Sequence, residues 1–454
     1  MSITSTNFIF ILLPLCVLIH SILPMRARNY WVTAVSLIFY WFAGGKSLYA
    51  AAFLCIVTLM NWLAGIFLSK IKSKLFLGFM ITVDALSLAF FKYLPGLGFE
   101  GIVMPLGISF FTFKNISYLH ETYTDSLCEG NPVDYFTYAI MFPQIMQGPI
   151  QTWRSLREQL HRRRIHASDI NDGLKLYILG FAIKELLSVK PQALYNSVMN
   201  AGFDSASTTM AWLCALAFSL CLYFDFYGYS LMAEGIGKML GFTFCKNFDE
   251  PYASKSVSEF WRRWHSSLGE WFKENIYFPM GGSRVPFPRE IFNLLVVWFV
   301  TGIWHGTGVT YIIWAAFSFI LIVLEKNSRK KDGPLYHLNN SKVGSHIYII
   351  LYSLLSWAIF MAPSNGELLE LFKRLFPFFG SAEYVDNLDF VPYLKSCGPA
   401  ILGGIFVCTT IPKKLWKKVE NNVYVYVPLL LILFWVSVYI AVGSEANPFM
   451  YVNF

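Results

Sequence analysis

His305 stands in the run Trp304-His305-Gly306-Thr307-Gly308, with apolar residues on both sides from Asn293 to Leu324. An ionisable side chain inside such a run is costly in lipid, so it is expected to face an internal cavity and to serve a function. A neutral imidazole held there can take a proton from an attacking hydroxyl, which is general-base catalysis. The competing reading is that the ring only bonds a neighbouring carbonyl and fixes helix packing. The surrounding residues have to decide between the two.

His265 is the second candidate. From Ser256 to Phe278 the apolar residues Val257, Phe260, Trp261, Trp264, Leu268, Trp271 and Phe272 recur every three or four positions, the spacing of one helix face. Glu259, Arg262, Arg263, Glu270, Lys273 and Glu274 fall on the other face, and Ser256 with Glu259 makes a capping box at the start. One amphipathic helix so rich in Trp and Arg is expected to lie in the membrane interface on the cytoplasmic side, where anchorage is the plain reading of both residue types. His265 sits on the border of the two faces, where its ring can turn toward protein. Arg262 and Arg263, with Lys273, could draw a phosphate-bearing acyl donor, and anionic lipid headgroups account for them equally. Trp304 and Asp225 complete the candidate donor-binding set. Asp225, the single carboxylate in Tyr223-Phe-Asp-Phe-Tyr-Gly-Tyr229, is read first as a hydrogen-bonding partner for its tyrosines.

Such side chains need a membrane scaffold, and the composition supplies one. The 454 residues are 56% hydrophobic, 18% aromatic and only 14% charged, with a mean hydropathy of +0.49. A soluble surface demands more charge. The net charge of +8 does not indicate nucleic acid, because Lys and Arg fall in short loops between apolar runs. The eight cysteines include no C-x-x-C pair, and Cys16, Cys55, Cys214, Cys221 and Cys408 sit in apolar segments as small hydrophobes. The first apolar run, Asn7 to Pro24, has no basic residue before it and Arg26 and Arg28 after it, so a retained span is expected rather than a cleaved signal.

The fold class expected is all-α: a polytopic integral membrane protein with about eleven or twelve transmembrane helices, plus re-entrant and interfacial helices. Spans are predicted near 7–24, 30–45, 49–69, 75–93, 102–119, 171–189, 208–240, 291–304, 309–325, 345–363, 399–412 and 423–442. The whole chain, 1–454, reads as one domain, with N-terminal helices to 120, a motif-bearing core over 121–330 and C-terminal helices from 331. The cations at Arg26 and Arg28, Lys70 to Lys74, Arg154 to Arg164, Lys326 to Lys331 and Lys413 to Lys418 are expected on the cytoplasmic face, with the N-terminus outside. Tyr135 to Ile150 is expected to be re-entrant or interfacial, and the amphipathic 364–398 stretch to lie outside. Both flanks of the His305 segment then carry cytoplasmic cations, so it must enter and return. With arms of about 15 residues, or about 22 Å, its tip is expected within the membrane. Gly302, Gly306 and Gly308 permit the break and a close approach by another helix.

Four motifs, in this order, give the sequence a family likeness. They are Pro105-Leu-Gly-Ile-Ser-Phe-Phe-Thr-Phe113, Tyr223-Phe-Asp-Phe-Tyr-Gly-Tyr-Ser230, Asn247-Phe-Asp-Glu-Pro-Tyr252 running into Glu259-Phe-Trp-Arg-Arg-Trp-His-Ser-Ser-Leu268, and Gly302-Ile-Trp-His-Gly306. Together they resemble the membrane-bound O-acyltransferase family, in its bacterial alginate O-acetylation branch, from Asn7-Phe8 to the closing Asn447 to Phe454. The chain departs from that pattern with Phe226-Tyr-Gly-Tyr-Ser230 and Met280-Gly-Gly-Ser-Arg284. The resemblance implies helices around a central tunnel in a bacterial plasma membrane, His305 as the catalytic residue and His265 beside the tunnel. It also implies a thioester donor arriving from the cytoplasm and an acceptor met from outside.

The expected activity is transfer of a short acyl group, acetyl before others, from cytosolic acyl-CoA to an extracytoplasmic glycan or a partner acyltransferase of a polysaccharide-modification complex. His305 serves as base and His265 orients the donor or relays charge. Acyl-CoA is a substrate, so no permanently bound cofactor is expected. Neither H-E-x-x-H nor another convincing metal-ligand spacing occurs. Three other readings stay open: D-alanyl transfer to teichoic acids from a carrier-protein thioester, a proton-coupled transporter or flippase using His305, His265 and Asp225, and a structural scaffold for a glycan export complex. Against the transporter stands the lack of duplicated halves with matching broken segments.

Overall fold

A computed structural model describes residues 1–99, 101–328, 341–379 and 385–443. Among the described residues all regular elements are helical, and 8 helices are long and apolar enough to cross a membrane, including Leu48–Ile71, Thr208–Met239 and Val423–Gly443. Their outer faces are apolar: Leu75, Ile56, Leu402 and Ile432 are all exposed. Side chains of that kind belong against lipid tails. The closing Asn447 to Phe454 motif and the cations at Arg329 to Lys331 lie outside the described residues.

Thr208–Met239 is the axis of the bundle, buried on most of its faces. It runs against Ala167–Leu187 with glycines on both helices at the contact. A Cβ on Gly180 would lie 2.5 Å from the Gly228 oxygen, and one on Gly235 would lie 2.5 Å from the Gly173 oxygen. With little gain from burying apolar surface in lipid, close backbone approach of this kind holds helices together.

Several expected boundaries move, each for a tertiary reason. The 102–119 span is instead Ile108–Asp125, which starts after Gly107 at φ 69 and is buried along most of its length, polar residues Lys114, Asn115 and Glu121 included. Gly107 is obligatory there, since a Cβ would meet the Ile145 oxygen at 2.0 Å. The 135–150 stretch forms Pro132–Ile140 and Phe142–Ile145, each too short to cross, and packed inside the protein. The Lys114 ammonium satisfies the break between them by donating to the Tyr138 oxygen at 2.8 Å and to Gln144 Oε1 at 2.5 Å. Irregular backbone survives at such depth only where protein serves its polar groups. The 364–398 stretch is not one outer amphipathic segment: Asn365–Leu375 is amphipathic, but the next apolar helix already begins at Phe390.

Two expectations about the site segments need correction. The arms of the His305 hairpin, Phe287–His305 and Val309–Ser328, have 19 and 20 residues, about 28 and 30 Å of helix. The turn between them therefore reaches the loop after Tyr93, where a Cβ on Gly96 would meet Thr307 at 3.4 Å. Burial of His305 comes from neighbouring helices, not from short arms. Ser256 to Phe278 is not one helix: Val257–Arg263 and Ser266–Phe272 are separated at Trp264 and His265.

Contacts tie distant segments together at the two ends of the bundle. Arg163 donates to the Leu240 oxygen, and Lys413 pairs with Asp249 and Glu250, which gathers cation-bearing segments at one end. Ser207 bonds Asp389 and Tyr195 bonds the Met361 oxygen at the other.

Candidate functional site

His305 occupies the last turn of its helix, 4% exposed. Its ring meets Trp314 edge-on at 4.9 Å and Phe360 at 5.1 Å. A helix end leaves its last carbonyls without intrahelical donors. Here Lys92 donates to the Trp304 oxygen and the Tyr93 hydroxyl to the Ile303 oxygen, both from the end of Lys74–Tyr93. Gly306 continues in extended backbone, and a Cβ there would meet the Tyr311 ring at 2.4 Å. The turn is thus packed on all the sides that matter for the direction of His305.

Two cavities approach His305. One, of about 500 Å³, is lined by Arg262, His265, Lys273, Trp261, Trp298 and Thr301 among others, and lies toward the cation-bearing end. The other, of about 260 Å³, is lined by Ser47, Lys92, Met104, Ser109 and Trp304 and lies toward the opposite end. Among the described residues His305 alone lines both.

His265 is 4% exposed and faces the larger cavity. Its backbone is left-handed, at φ 45 and ψ 48, a conformation that costs a non-glycine residue about 1–3 kcal/mol and marks a constrained position. Nδ1 lies 2.9 Å from Asn247 Oδ1, and the ring stands edge-on to Phe226 at 4.7 Å. Burial pushes its pKa down to about 3, so the ring is neutral at physiological pH.

The remaining candidates separate. Arg262 lines the larger cavity, whereas Arg263 is held by Glu259 at 2.6 Å and does not. Trp304 lines the smaller cavity, on the opposite side of His305 from Arg262. Asp225 lines neither; it is buried, with the Lys184 ammonium at 3.7 Å, and that ammonium also lies 3.4 Å from Glu185. Lys92 was not singled out from sequence, and Asn247 and Ser267 stood there only as members of a motif, with no role of their own. The available signal for Lys92 was a lone cation at the end of an apolar span. A further cluster, Glu129, Asp134 and His161, brings its ligand atoms within 4.8 Å of one another. Its imidazole nitrogens already face the two carboxylates, at 3.1 and 3.5 Å, and it borders neither cavity.

Apolar helices of membrane-spanning length thus enclose a buried histidine that two cavities border, the frame of a membrane-embedded transferase. The chain belongs to the membrane-bound O-acyltransferase family, whose pattern it matches over residues 15–364. It is 32% identical over 403 residues to a protein named probable alginate O-acetylase AlgI from Azotobacter vinelandii, covering 83% of this chain and 78% of that protein. A peptidoglycan O-acetyltransferase of Helicobacter pylori is 28% identical, over 81% of this chain and 78% of its own. A teichoic acid D-alanyltransferase of Bacillus subtilis is 27% identical, over 49% of this chain and 59% of its own. The protein is therefore an O-acyltransferase of the membrane.

Proposed function

We propose that this acyltransferase moves a short acyl group, acetyl in the first instance, from cytosolic acyl-CoA to a glycan outside a bacterial plasma membrane, or to a partner acyltransferase that completes the transfer. The observation that carries this reading is that, among the described residues, His305 alone borders both cavities. The cation-bearing end is the cytoplasmic one by the distribution of Lys and Arg, so the larger cavity receives the donor. Arg262 and Lys273 at that cavity suit the phosphates of the donor, and His265 orients its thioester. The names of the relatives in alginate and peptidoglycan acetylation support a glycan acceptor.

In the reaction the acceptor hydroxyl attacks the thioester carbonyl carbon while the neutral His305 ring takes its proton. The C–S bond breaks, the thiolate leaves into the larger cavity, and the imidazolium returns the proton to it. The low-dielectric surroundings formed by Trp314 and Phe360 exclude water that would hydrolyse the thioester.

The test uses the full chain in proteoliposomes, with labelled acetyl-CoA on the face bearing the cations and the acceptor, or the copurified partner, on the other. His305→Ala is expected to lower transfer by about 100- to 10,000-fold while inserting normally. Unchanged transfer would remove His305 from the chemistry. A carrier-borne D-alanyl thioester supplied in the same assay distinguishes the second donor class, and proton-coupled uptake without turnover would favour a transporter.

A further inference from the structure

We infer that Asn247 is a positioning residue that locks His265 in the Nδ1–H tautomer, so that Nε2 is the acceptor nitrogen and the bound donor offers it an N–H or O–H. This rests on the proposed donor side of the larger cavity and adds the polarity of the contact made there. The amide N–H groups of a pantetheine arm are donors of the required kind.

The inference follows from a chain of hydrogen bonds that begins at an unambiguous donor. The Ile150 backbone N–H donates to Ser267 Oγ at 3.0 Å. Ser267 Oγ then directs its own proton to Asn247 Oδ1, 2.8 Å away. In the structure Asn247 turns its amide oxygen toward Ser267 and His265, and its amide nitrogen donates in the other direction, to Ser230 Oγ at 3.1 Å. An acceptor oxygen 2.9 Å from His265 Nδ1 requires a proton on Nδ1. In a neutral imidazole the other nitrogen then carries the lone pair.

Asn247 grips the backbone as well as the ring. Its carbonyl accepts the Ser266 N–H at 2.9 Å, directly after the left-handed residue, and Asp249 N–H bonds the Arg263 oxygen at 3.0 Å. The side chain of Asn247 is fully buried. A strained backbone and a ring fixed by the same partner are more than interfacial anchorage requires. The other titratable side chains bordering this cavity are Arg262, Lys273, Tyr277 and His305.

Selective ¹⁵N-histidine labelling of the purified full-length protein tests the tautomer without reference to any donor, with the His265 signals assigned by their loss in His265→Gln. Nε2 is expected to be unprotonated at neutral pH; a protonated Nε2 in the wild type overturns the inference. Kinetics add a second readout. Asn247→Leu should mix the tautomers and raise the donor KM about tenfold. Asn247→Asp keeps an acceptor oxygen but places a carboxylate beside Nδ1–H, which favours the imidazolium and raises the His265 pKa. Its rate should therefore fall as pH drops and recover as pH rises, a limb absent from the wild type, whose His305 is unchanged. Wild-type KM and tautomer in Asn247→Leu, or an Asn247→Asp profile parallel to wild type, would refute the assignment. If the Asn247 variants fail to insert, Ser267→Ala, which removes only the hydroxyl, should shift the tautomer signal in the same direction. Absence of acetyl-CoA turnover would count against the donor reading alone, since the tautomer is read independently.

Discussion

The ammonium of Lys92 donates to the main-chain oxygen of Trp304, 212 residues further along the chain and one residue before His305. It also lies 5.4 Å from the Trp304 ring centroid. Together with Tyr93 on Ile303, it closes the open end of the helix that carries His305, where a cation is favoured by the helix dipole.

Lys92→Met is expected to leave that carbonyl without its donor, at a cost of about 1–3 kcal/mol. Because Lys92 borders only the smaller cavity, the loss should fall on kcat, with donor KM unchanged. Initial rates against acyl-CoA concentration check this. A raised donor KM would mean that the two cavities do not bind separate substrates.

Arg262 and Arg263 are neighbours with different surroundings, the first on the larger cavity and the second held by Glu259. Arg262→Gln should raise donor KM by about tenfold, the loss of one charge-assisted contact to a phosphate. Arg263→Gln should change it less than twofold. Equal effects would make both residues general membrane anchors.

Glycine placement predicts two opposite outcomes. Gly180→Leu puts side-chain atoms into the backbone of Gly228 and should cost about 1–3 kcal/mol or more by overpacking, seen as a lower unfolding temperature in detergent. Gly78→Ala meets nothing within 4 Å on Lys74–Tyr93 and should leave that temperature unchanged or higher.

Sidedness is read by a membrane-impermeant thiol reagent. Lys417→Cys should label from the cytoplasmic face and Asn365→Cys from the outer face; both are exposed. Among the native thiols, Cys397 is buried and Cys245 is exposed. Cys245 should label with Lys417→Cys. Ser381, in the 364–398 stretch expected outside, lies outside the described residues. Labelling of Lys417→Cys and Asn365→Cys from one face would end the cross-membrane scheme.

The sequence alone determined the helical class, the in-and-out segment around His305 and the Trp-rich apolar face near His265. These are local properties: apolar runs of spanning length, glycines at a turn, and a repeat every three or four residues. The break at His265 was not legible, because the capping box and the periodicity favour a continuous helix. Contacts from the 246–249 segment, among them those of Asn247 with the Ser266 N–H and the His265 ring, hold the left-handed turn open. Trp304 and Arg262 looked like parts of one donor site, yet they border different cavities, since they sit on separate helices, Phe287–His305 and Val257–Arg263, whose relative placement is set by packing. Lys92 read as one cation at the end of an apolar run, and its partner lies on a helix more than two hundred positions away. Which side chains converge on His305 was decided by packing between distant helices, and hydrogen bonds of that range leave no periodic trace in the chain.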